Sequence, residues 1–111
     1  MTIQYKSETF NLTDTNLTTV LTISTSAVAI VKLVQASHQA AGTVQVDAFV
    51  KKSGGSDVEI AHDSLSAGFT NLIKDSLNLE AGDVIKVQAG TANEITGVVS
   101  YALIDRSNEN G

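Results

Sequence analysis

The stretch Leu77–Thr91, LNLEAGDVIKVQAGT, decides how this chain is read. Leu77 and Leu79 share one parity, against Ser76, Asn78 and Glu80 on the other. After the break Ile85, Val87 and Ala89 share a parity, against Val84, Lys86 and Gln88. A period of two sends alternate side chains to opposite sides of an extended chain, so each run reads as a half-buried β-strand. Between the runs, Gly82 takes positive φ at little cost and Asp83 can bond nearby backbone, which is turn chemistry. The unit is two strands and a tight connection, and Gly90 closes the second strand.

The same grammar extends in both directions. Ser7–Leu12 reads as a first strand, Thr18–Ser24 as a second and Ala27–Gln35 as a third. Thr43–Lys52 is a fourth, with Val44, Val46, Ala48 and Val50 on one face, and Ser53-Gly54-Gly55-Ser56 makes a turn after it. Val58–Ser64 and Phe69–Leu79 follow, the latter with an irregularity. Val84–Ala89 and Glu94–Asp105 complete the set, with Ile95, Val99, Tyr101 and Leu103 inward. About eight short strands with turn signals between them predict an all-β chain, a single jelly-roll-like β-sandwich of mostly antiparallel strands. Residues 1–111 form one domain in this reading, with short polar N- and C-terminal tails. A helix over Asn71–Gly82 is the local alternative, its Leu72, Ile73, Leu77 and Leu79 fitting a helical face only loosely. The expected core contains Val44, Val46, Val50, Ile85, Val87, Val99 and Leu103.

Composition narrows the function classes. Net charge is −5, with seven Lys plus Arg scattered along the chain and only Lys51 and Lys52 adjacent. Phosphate backbones and anionic membranes call for clustered cations, so neither nucleic acid nor membrane is an expected partner. No apolar run approaches the roughly 20 residues that span a bilayer. The opening MTIQYKSETF has no apolar core of a secretory signal, so the chain is expected to act where it is made or within a larger particle. Cysteine is absent, which removes disulfides and thiolate chemistry.

Catalysis needs a nucleophile with a base, paired carboxylates or a metal. His38, in ASHQAAG, reads as a solvated loop histidine, and His62 shares parity with Val58 and Ile60, at the rim of the core. Two histidines do not make a typical zinc site, and the adjacent His62 and Asp63 point to opposite faces of a strand. Asp57, Glu59, Ala61 and Asp63 share a parity and read as an acidic outward face. Thr13–Asn16 (TDTN) lacks the spacing and terminal Glu of a calcium loop. Neither SGGS nor AAG opens a helix that would cradle a phosphate. No catalytic residue, cofactor-binding residue or metal ligand is expected, and hence no cofactor and no enzyme activity.

Two features bear on assembly. AVAIVKLV is apolar on both parities, with Ala29, Val31 and Leu33 on one side and Val28, Ile30 and Val34 on the other. A sandwich strand normally keeps one wet face. Val28, Ile30, Lys32 and Val34 are therefore the candidate subunit contact, Lys32 packing its stem and keeping its charge at the rim. The chain also has no proline, one of the devices that blunt open sheet edges. Self-association follows as an expectation.

Taken in order, TTVLTIS, SAVAIVKLVQAS, GTVQVDAFV, LNLEAGDVIKVQAG and GVVSYALID resemble the successive strands of small β-sandwich virion proteins of tailed bacteriophages. The resemblance covers Thr18 to Asp105. It implies a non-enzymatic virion protein, made in the host cytoplasm and present in many copies on a preformed particle. A capsid decoration or cement-type subunit, contacting itself and other virion proteins such as the major capsid protein, is the expected role. A tail or neck accessory protein is the alternative within this class, and a glycan- or host-surface-binding module the alternative outside it.

Overall fold

A computed structural model describes residues Thr2–Arg106. The order is β1 (Thr2–Leu12), β2 (Thr18–Thr22), β3 (Ala27–His38), β4 (Val44–Lys51), β5 (Asp57–Leu65), β6 (Gly68–Ile73), β7 (Leu77–Leu79), β8 (Val84–Ala89) and β9 (Ile95–Asp105). Part of the C-terminal tail, Ser107–Gly111, lies outside the described residues. Among those described there is no helix. The Asn71–Gly82 segment is strand, turn and strand. Ser76 at φ 60° breaks any continuous conformation, and β6 and β7 each pair with β3 on either side of the break.

All pairings are antiparallel. One sheet runs β1-β9-β3-β6, with β7 also on β3, and the other runs β2-β8-β4-β5. Apart from β4 to β5 and β6 to β7, each step along the chain crosses from one sheet to the other. That winding is a jelly roll. The opening Leu77–Thr91 unit is thus an arch between sheets rather than a hairpin, since β7 lies in the first sheet and β8 in the second. The core fills the space between. Val44, Val46, Val50, Ile85, Val87 and Val99 are buried there as read, and Leu103 packs partly buried against them.

Two β-bulges correct the facing read from parity. In β3, Val31 pairs with Tyr101 and Leu33 with Ser100, so Lys32 is an extra residue. One extra residue flips every later side chain to the other face. Val34 is therefore 0% exposed in the core, and Leu33 faces outward in its place. Between β4 and β5, Ala48 pairs with Ala61 and Phe49 with Glu59, leaving Ile60 as the extra residue. Asp57 and Glu59 thus lie with His62 on the outer face, opposite Lys51, Phe49 and Asp47, while Asp63 falls in line with buried Val46.

β1 is longer than expected, pairing with β9 from Thr2 to Leu12 without a register shift. His38 is no loop residue. It ends β3 on the core face, 2% exposed, with Nδ1 3.0 Å from the carbonyl oxygen of Leu65. The extra length of β3 carries it inside, because the parity after the bulge points Val34, Ala36 and His38 the same way.

Candidate functional site

The outer face of the β1-β9-β3-β6 sheet combines two kinds of surface. At one end, the paired rows Ile3–Ile104–Val28 and Tyr5–Ala102–Ile30 lie side by side across β1, β9 and β3. Ile3 is 51% exposed and Tyr5 82%, while Val28, Ile30 and Ile104 are half-buried. Ala102 is buried but is not part of the inter-sheet core, so its neighbours on this face cover it. Of the four candidate contact residues, Val28 and Ile30 belong to this patch and Lys32 is exposed beside it at the bulge. Val34 does not belong. In the run K-L-V two apolar residues are adjacent, so parity by itself leaves open which of Leu33 and Val34 faces the core, and the bulge at Lys32 decides it.

At the other end of the same face, Thr9, Asn11, Gln35, Ser37, Thr96 and Val98 line an open groove of about 580 Å³. Gln35 Nε2 donates to Asn71 Oδ1 (3.2 Å) nearby, and Phe69, paired with Ser37, is 63% exposed. Hydroxyl and amide side chains line the groove together with Phe10 and Val98, with no titratable side chain among its lining residues. Gly97 permits the close packing beneath it. A Cβ there would sit 2.2 Å from Phe10 Cζ and 2.3 Å from the Gln35 carbonyl oxygen.

The outer face of the second sheet is polar. His62 Nδ1 lies 2.7 Å from Asp47 Oδ1 and 3.4 Å from Glu59 Oε1. Asp47 is nearly buried, and its Oδ2 accepts from Gln45 Nε2 (3.0 Å). Its Oδ1 is sealed from water and receives a hydrogen bond only if the His62 Nδ1 facing it carries the proton. The three ligand-type atoms lie within 4.8 Å of one another, a spacing that a cation could also bridge. A protonated Nδ1 between two carboxylates accounts for the same geometry. Parity hid this cluster, because Ile60 shifts the register between Glu59 and His62.

A charged knot fastens one end of the sandwich. The Asp83 carboxylate is 1% exposed and accepts from Glu80 N (2.7 Å), Ser53 N (3.1 Å) and Lys52 Nζ. Lys52 Nζ also reaches Glu80 Oε1 at 2.9 Å. Burial pushes the Asp83 carboxyl up, but the Lys52 ammonium and the two backbone N–H groups outweigh it and hold it below its ordinary value. On the first sheet the Tyr101 hydroxyl donates to Glu8 Oε2 (2.8 Å). Burial, reinforced by that carboxylate, raises the phenol to about 12.

No protein-family model and no curated protein sequence matches the chain. Solved structures do. A chain in the acid-stable capsid of Helicobacter pylori bacteriophage KHP30 is 13% identical at a TM-score of 0.57, covering 96% of this chain and 90% of that one. A subunit of Bacillus endospore appendages, described as disulfide-linked pili, is 17% identical at a TM-score of 0.49, covering 95% and 88%. A chain of the T13 particle of IBDV is 7% identical at 0.45, and this chain spans about a third of it, 31%. At these identities the likeness is one of fold.

Proposed function

We propose that the chain is a non-enzymatic structural subunit of a tailed-bacteriophage virion, a capsid decoration or cement-type protein that adds to the particle in many copies. The observation that carries this reading is the apolar outer face of the first sheet. Val28, Ile30, Ala102 and Ile104 form a contiguous row beyond the core, with Ile3 and Tyr5 in water beside them. Full burial of a large apolar side chain is worth on the order of 1.5–3 kcal/mol, and the part of it still exposed on Ile3, Val28, Ile30 and Ile104 is forfeited in the single chain. A contiguous exposed patch of this kind marks a contact surface. The fold match to a phage capsid chain over 96% of this chain's length supports the setting. A role in a tail or neck uses the same face and differs only in the neighbour.

The decisive measurement is the location and copy number of the chain in purified particles. The expected result is a copy number set by the particle's symmetry, with Ile30→Glu folding like the parent but missing from the particle. A parent chain absent from particles, or an Ile30→Glu chain incorporated normally, refutes the reading.

The second reading, a glycan-binding module, has the hydroxyl and amide side chains of the groove and the exposed ring of Phe69 in its favour. Hydroxyl and amide groups beside one aromatic surface suit a sugar. Glycan-array binding abolished by Phe69→Ala, with particle incorporation unchanged, would move the function to that end of the sheet.

A further inference from the structure

Two sheets have four edges, and three of them are blunted. β2 is five residues long with a register shift between Thr19 and Leu21. β5 carries the bulge at Ile60, and the β6/β7 edge is interrupted between Ile73 and Leu77. β1 has none of these devices. It runs eleven residues in unbroken register with β9, contains no proline, and has no second strand on its other side among the described residues. Thr2 to Thr9 are exposed on both faces except where β9 adjoins them. A long regular edge of this kind is a template for another strand.

We infer that this edge pairs antiparallel with β1 of a second copy, about a two-fold axis at Ser7. The reading rests on the multi-copy role proposed above and names the interface for it. The charge pattern selects both partner and register. Lys6 and Glu8 share one face, opposite Tyr101 and Val99 of β9, and Glu8 is held in place by the Tyr101 hydroxyl. With the axis at Ser7, Lys6 lies opposite Glu8 of the partner subunit, and the reciprocal pair forms by symmetry. An axis at Lys6 or at Glu8 sets like charges face to face, and an axis at Tyr5 leaves both charges opposite neutral residues. The Ser7 register thus makes two opposite-charge pairs and no like-charge pair. It also covers the ring of Tyr5, 82% exposed in the single chain, and joins two four-strand paths into one continuous sheet.

The absence of cysteine makes the test direct. Residues opposite each other across antiparallel strands have Cα atoms about 4.5–5.5 Å apart, within disulfide range. Under mild oxidation Ser7→Cys should cross-link to a dimer at least about tenfold faster than Ile3→Cys or Ser64→Cys, because of these three only position 7 faces itself. In sedimentation equilibrium Lys6→Glu and Glu8→Lys should each weaken self-association by roughly tenfold or more, and the double reversal should restore it. Ser7→Cys cross-linking no faster than Ser64→Cys, or a double reversal as weak as the singles, overturns the inference. The two readings fail separately. A chain that dimerises through Ser7 but is missing from particles refutes the virion role alone. A chain found in particles whose Ser7→Cys form does not cross-link refutes this interface alone.

Discussion

Asp83→Asn tests the knot at the end of the sandwich. The substitution keeps the shape and removes the charge. The site presents three donors, Lys52 Nζ and the backbone N–H groups of Ser53 and Glu80. Asn has one acceptor oxygen, so whichever way its amide turns, its NH2 group meets a backbone N–H. Hydrogen bonds to a charged group contribute about 1.5–3 kcal/mol, and a buried donor left unpaired costs about 1–3 kcal/mol. Asp83 is 1% exposed, so water is kept from the two backbone N–H groups, while the half-exposed Lys52 ammonium can regain it. The expected loss is about 3–5 kcal/mol, a large part of a domain's whole stability of about 5–15 kcal/mol. In urea at neutral pH, with a slope of about 1–3 kcal/mol per molar, the midpoint should fall by about 2 M. The pH dependence gives a second reading. The Asp83 carboxyl lies lower in the folded chain than its ordinary 3.8, so its contribution is complete above 3.8 and is lost as pH falls through the folded value. The gap between parent and Asp83→Asn should therefore close in acid. A midpoint shift below about 0.3 M, or a gap unchanged from neutral pH to acid, would refute the reasoning.

Gly97→Val should prevent folding or cost at least about 4 kcal/mol, since the Phe10 ring and the Gln35 carbonyl occupy the space of its first carbon; thermal melting measures this. His38→Ala should lower stability by about 2–4 kcal/mol in chemical denaturation, because it empties a buried site and leaves the Leu65 carbonyl without its imidazole partner. Ultraviolet titration of the folded chain should show the Tyr101 phenol ionising near 12, and Glu8→Gln should lower that midpoint by removing the adjacent charge. A raised phenol contributes stability that is complete below its ordinary 10 and disappears as pH rises through about 12, so the parent should lose more stability in strong alkali than Tyr101→Phe.

Local pattern alone determined where most strands of this chain lie and most of its core, though not the full length of β1 or the division of Phe69–Leu79 into β6 and β7. Val44, Val46 and Val50 alternate without interruption, and all three are buried together. Ile85, Val87 and Ala89 do the same. The turn at Gly82 and the readiness of Asp83 to bond backbone were also legible, since φ of 83° and a short carboxylate are properties of those residues. Tertiary structure decided the rest. Parity carries no signal for a bulge, because inserting one residue is decided by what the neighbouring strands offer. β9 sets Lys32 aside and sends Val34 inward, and β4 sets Ile60 aside and brings His62 to Asp47 and Glu59. Sequence likewise reads two strands around Gly82 without saying that they belong to different sheets. That choice is made by β3 and β4, distant in the chain, whose edges accept β7 and β8. The contact face has the same origin: Ile3, Ile104 and Val28 are far apart in sequence and become one surface only because β9 lies between β1 and β3.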